Sequence, residues 1–444
     1  MNKYQLRVET GVMSFWKRYK GKPLGMIGLI IVIIYVFIAI FAPFLTPYSP
    51  KQILLADRIA APLWFRYVIP KYNNAPQTVT IGFDSPLYEI KDMPVSHIIE
   101  YNYSAPKTFS LTFDCWVNAP FHSEAGFECL IKTPEGREYS LWGKSYSSDS
   151  DKQVVRIDSR DLGLKQRLGL TIFEDPASKI FSSRGDYSLI FRPNPGFGDT
   201  STRLYISNVK LHIPGLVHGI LGTDHMGSDL WTQLVYGTRI SLVIGLSAAV
   251  ISVAVGTAIG IICGYLGGVI DEFIMRAVDV FLAIPVLPIL IILGAILGKS
   301  IWNIVILVSA FAWMNTARLV RSQTLSLRER IFIEAAKASG GSDIYIMSTH
   351  ILPNVLPLVF ASMVLLIPTA ILTEASLSFL GFGDPRVATW GRMLHNARGF
   401  GAFTTLAWWW LVPPGLAITF LSLAFVFIGN TINEIFNPKY RERL

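Results

Sequence analysis

From Leu24 to Ala42 the chain runs for 19 residues without a charged side chain. At 1.5 Å of rise per residue, a helix of that length approaches the thickness of a bilayer's hydrocarbon core. Five more apolar runs follow, Ile240 to Gly264, Phe273 to Leu297, Ile301 to Val320, Val355 to Thr373 and Leu406 to Ile428. Water would solvate neither their side chains nor, in a membrane, any backbone left unpaired, so each is expected as a helix. The composition agrees: 51% of residues are hydrophobic and only 16% charged, which excludes a disordered chain and an ordinary soluble domain. The expected fold is an α-helical polytopic membrane protein with six transmembrane helices and an inserted extracytoplasmic β-sandwich-like domain.

Charge sets the expected orientation. Lys17, Arg18, Lys20 and Lys22 precede the first run, and the run ends in Phe41-Ala42-Pro43-Phe44-Leu45 rather than at a small-residue cleavage site. An uncleaved helix with a cytoplasmic N-terminus follows. Six spans return the C-terminus to the cytoplasm, where Lys439, Arg441 and Arg443 fit the positive-inside rule; Arg386, Arg392 and Arg398 fall outside and oppose it. Of the formal net charge of +8, +7 belongs to the membrane part. Residues 51–215 hold 19 Lys+Arg against 18 Asp+Glu, leaving 20 against 13 elsewhere. The basic excess therefore marks topology, and no nucleic-acid partner is expected.

Residues 51–218 differ in character and are expected to form one domain between residues 1–50 and 219–444. Phe109, Leu111, Phe113, Cys115 and Val117 alternate with polar residues and Trp116, the period of a half-buried strand. Phe127 to Lys132 and Arg137 to Trp142 flank Thr133-Pro134-Glu135-Gly136 as a hairpin. Val154 to Ile157, Leu168 to Phe173, Tyr187 to Phe191 and Arg203 to Ile213 read as further strands, with Arg192-Pro193-Asn194-Pro195-Gly196 as a turn. Many short strands joined by turns suggest a β-sandwich. Cys115 and Cys129 share parity with apolar neighbours and both point to its core; a disulfide between them is open to an extracytoplasmic domain, but parity says nothing of adjacency. Cys263 reads as packing.

Between the fourth and fifth runs, residues 321–353 form a cytoplasmic loop containing Glu334-Ala335-Ala336-Lys337-Ala338-Ser339-Gly340-Gly341-Ser342-Asp343 and then His350-Ile351-Leu352-Pro353-Asn354. Helix formers up to Ser339, a left-handed cap at Gly340 and a capping Ser342 or Asp343 predict helix, turn, helix. By itself this is either an interfacial loop or a docking element. The pattern resembles the EAA signature of binding-protein-dependent ABC transporter permeases. Phe15-Trp16-Lys17-Arg18, Phe41 to Pro50, Leu221-Gly222-Thr223-Asp224-His225-Met226-Gly227-Ser228-Asp229-Leu230, Tyr236 to Leu242 and Glu374 to Gly381 are similar to the dipeptide, oligopeptide and nickel branch, C-type subunit. Ser228 departs from the family's usual Arg, and residues 51–218 far exceed its usual loop.

The resemblance implies an ABC importer type I permease in a prokaryotic plasma membrane. It further implies pairing with a second homologous permease subunit, two cytoplasmic ABC ATPase subunits and an extracytoplasmic substrate-binding protein. No cofactor is expected in this chain, with ATP and Mg on the partner ATPases. Glu334, Ala335, Ala336, Gly340 and Gly341 are the coupling residues it implies, with Glu334 bonded locally and the alanines fitting a groove. Transport of peptides or a related small solute is the expected function; the alternative is a membrane-anchored sensor whose β-domain recognises a ligand.

Other residues carry weaker signals. Glu374, in an otherwise uncharged run, is either a pathway or gate residue or a helix-end carboxylate bonded to the next loop. Asp271, Glu272, Arg276 and Asp279 read as an interfacial charge cluster. Gly294 to Ser300 imitates a phosphate loop, but three residues separate its glycines where four are needed. Trp408, Trp409 and Trp410 suggest an aromatic belt, and Pro413 and Pro414 a kink. Asp149-Ser150-Asp151 lacks the Gly turn and closing Glu of a calcium loop. No nucleophile elbow or paired-carboxylate constellation supports an enzyme.

Overall fold

The computed structural model describes residues 12–83, 88–90, 94–118, 125–193 and 203–436. Lys439, Arg441, Arg443 and residues 194–196 of the expected turn lie outside them. Among the described residues five helices are long and apolar enough to cross a membrane: Pro23–Ile40, Leu230–Leu266, Ile301–Arg328, Asp343–Phe379 and Trp408–Phe436. The expected third span is corrected. It is two helices, Gly268–Ala283 and Val286–Leu297, that meet at 89°. Ile284 between them is extended, with φ −86° and ψ 133°, because Pro285 crowds the preceding residue out of the helical region and itself lacks an amide donor. The count is six only if this bent pair crosses as one.

The chain divides into two units, residues 51–231 and the remainder. In the helical unit, small residues let helices touch. Gly256, Gly260 and Gly264 recur every four residues on one face of Leu230–Leu266. A Cβ on them would stand 2.5 Å from the Trp313 carbonyl, 2.6 Å from the Ala317 carbonyl and 2.6 Å from Thr324 Cβ. Helix Ile301–Arg328 thus lies against bare backbone, the close approach that membrane helices use in place of hydrophobic drive. Gly25 and Gly28 do the same for the first helix against Thr431 and Ala424 of the last, and Lys22 forms an ion pair with Glu434. The aromatic belt is corrected in part: Trp408 is exposed, but Trp409 and Trp410 are buried. Consecutive helical residues point about 100° apart, so three cannot all face outward.

The second unit is a β-sandwich. Its strands are β1 Ala61–Pro62, β2 Val79–Phe83, β3 Tyr88–Ile90, β4 Val95–Tyr101, β5 Ser110–Asn118, β6 Ala125–Lys132, β7 Glu138–Tyr146, β8 Ser150–Asp158, β9 Gly185–Pro193, β10 Arg203–Ile213 and β11 Val217–His218. One sheet has the order β2-β10-β5-β8, with β3 also on β10; the other is β4-β9-β6-β7. Phe113, Cys115, Leu204 and Ile206 from the first sheet and Phe127, Cys129, Leu189 and Phe191 from the second share one buried core. The expected strand Leu168 to Phe173 is not formed. Helix Leu162–Arg167 ends there, Gly169 turns left-handed with φ +62°, and Thr171 bonds Glu174 instead of a strand. Strand β4 escaped the reading because exposed Ile98 beside buried Ile99 breaks the alternation.

The two ends of this unit are stitched together. β1 pairs in parallel with β11. The amides of Leu54, Leu55 and Ile59 donate to the carbonyls of Met226, Gly227 and Asp224 at 2.9–3.0 Å. The unit therefore closes at Trp231, past the expected boundary at residue 218.

Candidate functional site

The loop after helix Ile301–Arg328 is built by three local devices. Arg330 is extended, with φ −84° and ψ 140°, and separates that helix from the short helix Ile331–Ala338. Gly340 then takes φ +81° with open space where a Cβ would be, a conformation glycine adopts without penalty. Ser342 caps the next helix, its hydroxyl accepting from the Tyr345 amide at 3.3 Å. The chain widens into a π turn over Ile346–Ile351 just before Pro353, which has no amide hydrogen to close a regular turn.

Packing fixes this unit. Ile333, buried, clusters with Ile346, Ile351, Val355, Val320 and Tyr265. The Tyr265 hydroxyl donates to Asp343 Oδ1 at 2.7 Å, the Lys337 ammonium lies 4.8 Å above the Tyr265 ring, and Arg328 Nη1 donates to the Tyr265 carbonyl at 3.0 Å. Tyr265, missed in the sequence, is thus the clamp. Its partner Asp343 is 78 positions away, and no linear pattern links them.

The outer face is left bare. Glu334, Ala335 and Ala338 are exposed, and beside them Ile331 and Ile344 are 84% and 76% exposed. Ala336 is half-buried and packs inward, and a Cβ on Gly341 would meet its carbonyl at 2.9 Å. Glu334 departs from expectation: among the described residues its carboxylate has no bonded partner. The lysine one turn on, which could have paired with it, is committed to the Tyr265 ring.

Glu374 is 1% exposed near the end of Asp343–Phe379. Ser378 Oγ, one turn on in the same helix, donates to it at 2.6 Å. Thr389 caps helix Trp390–Gly399 by accepting from the Arg392 amide at 3.2 Å. The next residue, Trp390, is buried and donates from Nε1 to the Leu234 carbonyl at 3.0 Å. Gly391 lets this helix lie on Ala375, where a Cβ would stand 2.7 Å from Cα. The carboxylate is thus bonded within its own helix, at the place where the following helix packs on Ala375.

The description "binding-protein-dependent transport system inner membrane component" matches residues 256–442, and "N-terminal TM domain of oligopeptide transport permease C" matches residues 13–62. A putative peptide transport system permease protein of Brucella suis is 38% identical over 234 residues, 52% of this chain and 77% of that one. The chain belongs to the binding-protein-dependent transport permease family. The oligopeptide transport system permease protein OppC of Bacillus subtilis is 36% identical over 222 residues, 50% of this chain and 72% of that one. A second Brucella suis protein, a putative peptide permease protein, is 36% identical over 219 residues, 49% and 72% respectively.

This permease is a multi-pass membrane protein. In residues 221–230, Thr223 Oγ1 donates to the Asp57 carbonyl at 2.6 Å and accepts from the Ala60 amide at 2.9 Å. Asp224 Oδ1 accepts from the Met226 and Ser228 amides at 2.8 and 3.0 Å. The motif thus builds the neck of the β unit. Asp271 accepts from Arg321 at 2.5 Å and Asp279 pairs with Arg318, so these two pairs pin the bent pair's first helix to Ile301–Arg328, while Glu272 and Arg276 pair within the first helix. The false phosphate loop is a helix end, with Asn303 Nδ2 donating to the carbonyls of Leu297 and Gly298 at 2.7 and 3.1 Å.

Cys115 and Cys129 are buried in the sandwich core but free. They belong to different sheets of the sandwich, Cys115 on β5 and Cys129 on β6. The expected option of a bond is therefore not realised. Among the described residues no group of three or more His, Cys, Asp or Glu could hold a metal ion.

Proposed function

We propose that this permease forms half of the translocation pathway of an ATP-driven importer for peptides, in a prokaryotic plasma membrane with both termini cytoplasmic and the β unit outside. It would pair with a second homologous permease, receive substrate from an extracytoplasmic binding protein and dock two cytoplasmic ATPases that carry ATP and Mg. The names of its relatives support peptides as the substrate class. The observation that carries the coupling role is the bare face of Ile331–Ala338, small and apolar around Glu334 and Ala335, on a rigidly clamped helix. Such a face fits a groove on another protein. The Gly340 turn, with Gly341 against Ala336, sets its angle.

Motion would pass from docking helix to spans through two contacts. The Tyr265–Asp343 bond ties the loop to Leu230–Leu266, and buried Ile333 ties it to Ile351 and Val355 at the foot of the fifth span. When the ATPases close, both spans tilt with the loop as rigid bodies and change the side on which the pathway is open. A sensor built around the β unit has no use for such a loop, which makes that alternative the weaker reading.

Ala335→Trp tests the proposal. Ala335 is exposed, so the variant should insert and fold normally while transport-coupled ATPase activity falls about tenfold or more through loss of a central contact. The measurement is peptide-stimulated hydrolysis in proteoliposomes holding all subunits. Unchanged coupled activity would remove the docking assignment.

A further inference from the structure

The outer face of the β5–β10 pair carries an aromatic feature outside the proposed coupling loop. Trp116 and Tyr205 are directly opposed in the β5–β10 register, on the face opposite buried Cys115, Val117, Leu204 and Ile206. Both rings are half-exposed. Their centroids are 5.6 Å apart and their planes 19° from parallel. They stand at the edge of a cleft of about 320 Å³ whose other walls are Val117, Asn118, Asp149, Ser150 and Asp151.

Several constraints hold this feature in place. The β5–β8 register shifts between Cys115 and Val117, so Trp116 sits at an irregularity of the kind that re-aims side chains next to sites. The Val117 amide donates to Ser150 Oγ at 3.1 Å, tying the rim to the strand. Asp114 accepts from Asn208 Nδ2 at 2.7 Å and pairs with Lys152 at 3.0 Å. The Asn208 bond and the Lys152 ammonium together hold its carboxyl below the usual range. The same ammonium lies 5.6 Å from the Trp116 ring centroid. Asn208 itself has φ +53°, a left-handed conformation that Asn tolerates better than most residues.

The chemistry of the lining selects a ligand class. Its lining carboxylates are Asp149 and Asp151, the adjacent lysine is paired with Asp114, and Arg203, opposite Asn118 on the same face, is paired with Glu89 at 2.7 Å, so a phosphate or carboxylate would meet carboxylates and cations already engaged. An apolar ligand would have to desolvate two carboxylates and an amide. A ligand with a flat C–H face and many hydroxyls satisfies both halves: its face packs on the rings while its hydroxyls donate to Asp149 and Asp151 and exchange bonds with Asn118. We propose that this cleft is a saccharide-binding site, with Trp116 and Tyr205 as its stacking wall and Asp149, Asp151 and Asn118 as its hydrogen-bonding rim.

The test is isothermal titration calorimetry on the full chain in lipid nanodiscs, with triacetylchitotriose and maltotriose as probes and choline and trilysine as cationic controls. The expected result is saturable binding of at least one trisaccharide, weakened about tenfold or more by Trp116→Ala, a loss of roughly 1.4 kcal/mol. Asp151→Ala, at an exposed position outside the core, should weaken binding similarly and keeps the test decisive if the tryptophan variant does not fold. Binding of neither sugar overturns the proposal. Sugar binding indifferent to both variants does too, as does Trp116-dependent binding of the cations alone.

Discussion

Gly340 shows how one backbone angle serves the candidate coupling loop. Its φ of +81° is left-handed, yet nothing lies within 4 Å of where its Cβ would be. A substitution therefore costs conformational strain and no clash, about 1–2 kcal/mol for an ordinary residue. Gly340→Asn, which tolerates that region, should keep coupled ATPase activity near normal, whereas β-branched Gly340→Val should lower it while the protein still inserts. Equal activity in the two variants would show that the turn angle is unimportant. This glycine was legible in the sequence because a helix-forming run stops at it and a capping serine follows. The state of Glu334 was not, since it depends on where Lys337 goes, and Lys337 is drawn to a ring more than seventy positions earlier.

At the scale of elements, glycines decide how closely helices approach and a proline decides where one breaks. A Cβ on Gly260 would stand 2.6 Å from the Ala317 carbonyl and 2.8 Å from Val320 Cβ, so a larger side chain must push two helices apart. Gly260→Leu should destabilise the protein by about 1–3 kcal/mol, the usual cost of overpacking. Thermal unfolding in detergent, followed by circular dichroism, would read this as a lowered midpoint. An unchanged midpoint would mean that the interface is looser than described. The five long spans were legible because hydrophobic length is a local property. The bend at Pro285 was not read: hydropathy averages over a window and is blind to a backbone angle, although Pro285 itself stood in the sequence as its signal.

For the molecule as a whole, the neck determines what the β unit needs in order to fold. A fragment from Lys51 to Pro214 contains the strands through β10 but lacks β11 and the 221–230 motif, so the amides of Leu54, Leu55 and Ile59 lose their partners. A fragment from Lys51 to Asp229 should be soluble, mostly β by circular dichroism and cooperative in unfolding. The shorter one should unfold at lower denaturant, by about 1 kcal/mol for each bond lost. Equal midpoints would mean that the neck contributes nothing to the unit's stability. By itself the sequence determined the long spans, a β insert with its inward cysteines and the helix-turn-helix loop, because apolar length, period-2 alternation and capping residues act over a few neighbouring positions. Only the tertiary structure decided that the cysteines lie in separate sheets, that Tyr265 clamps the loop, that Glu374 is buried and bonded within its own helix and that the insert closes at its neck. Each depends on which distant residues meet, and that is settled by packing the whole chain rather than by any stretch of it.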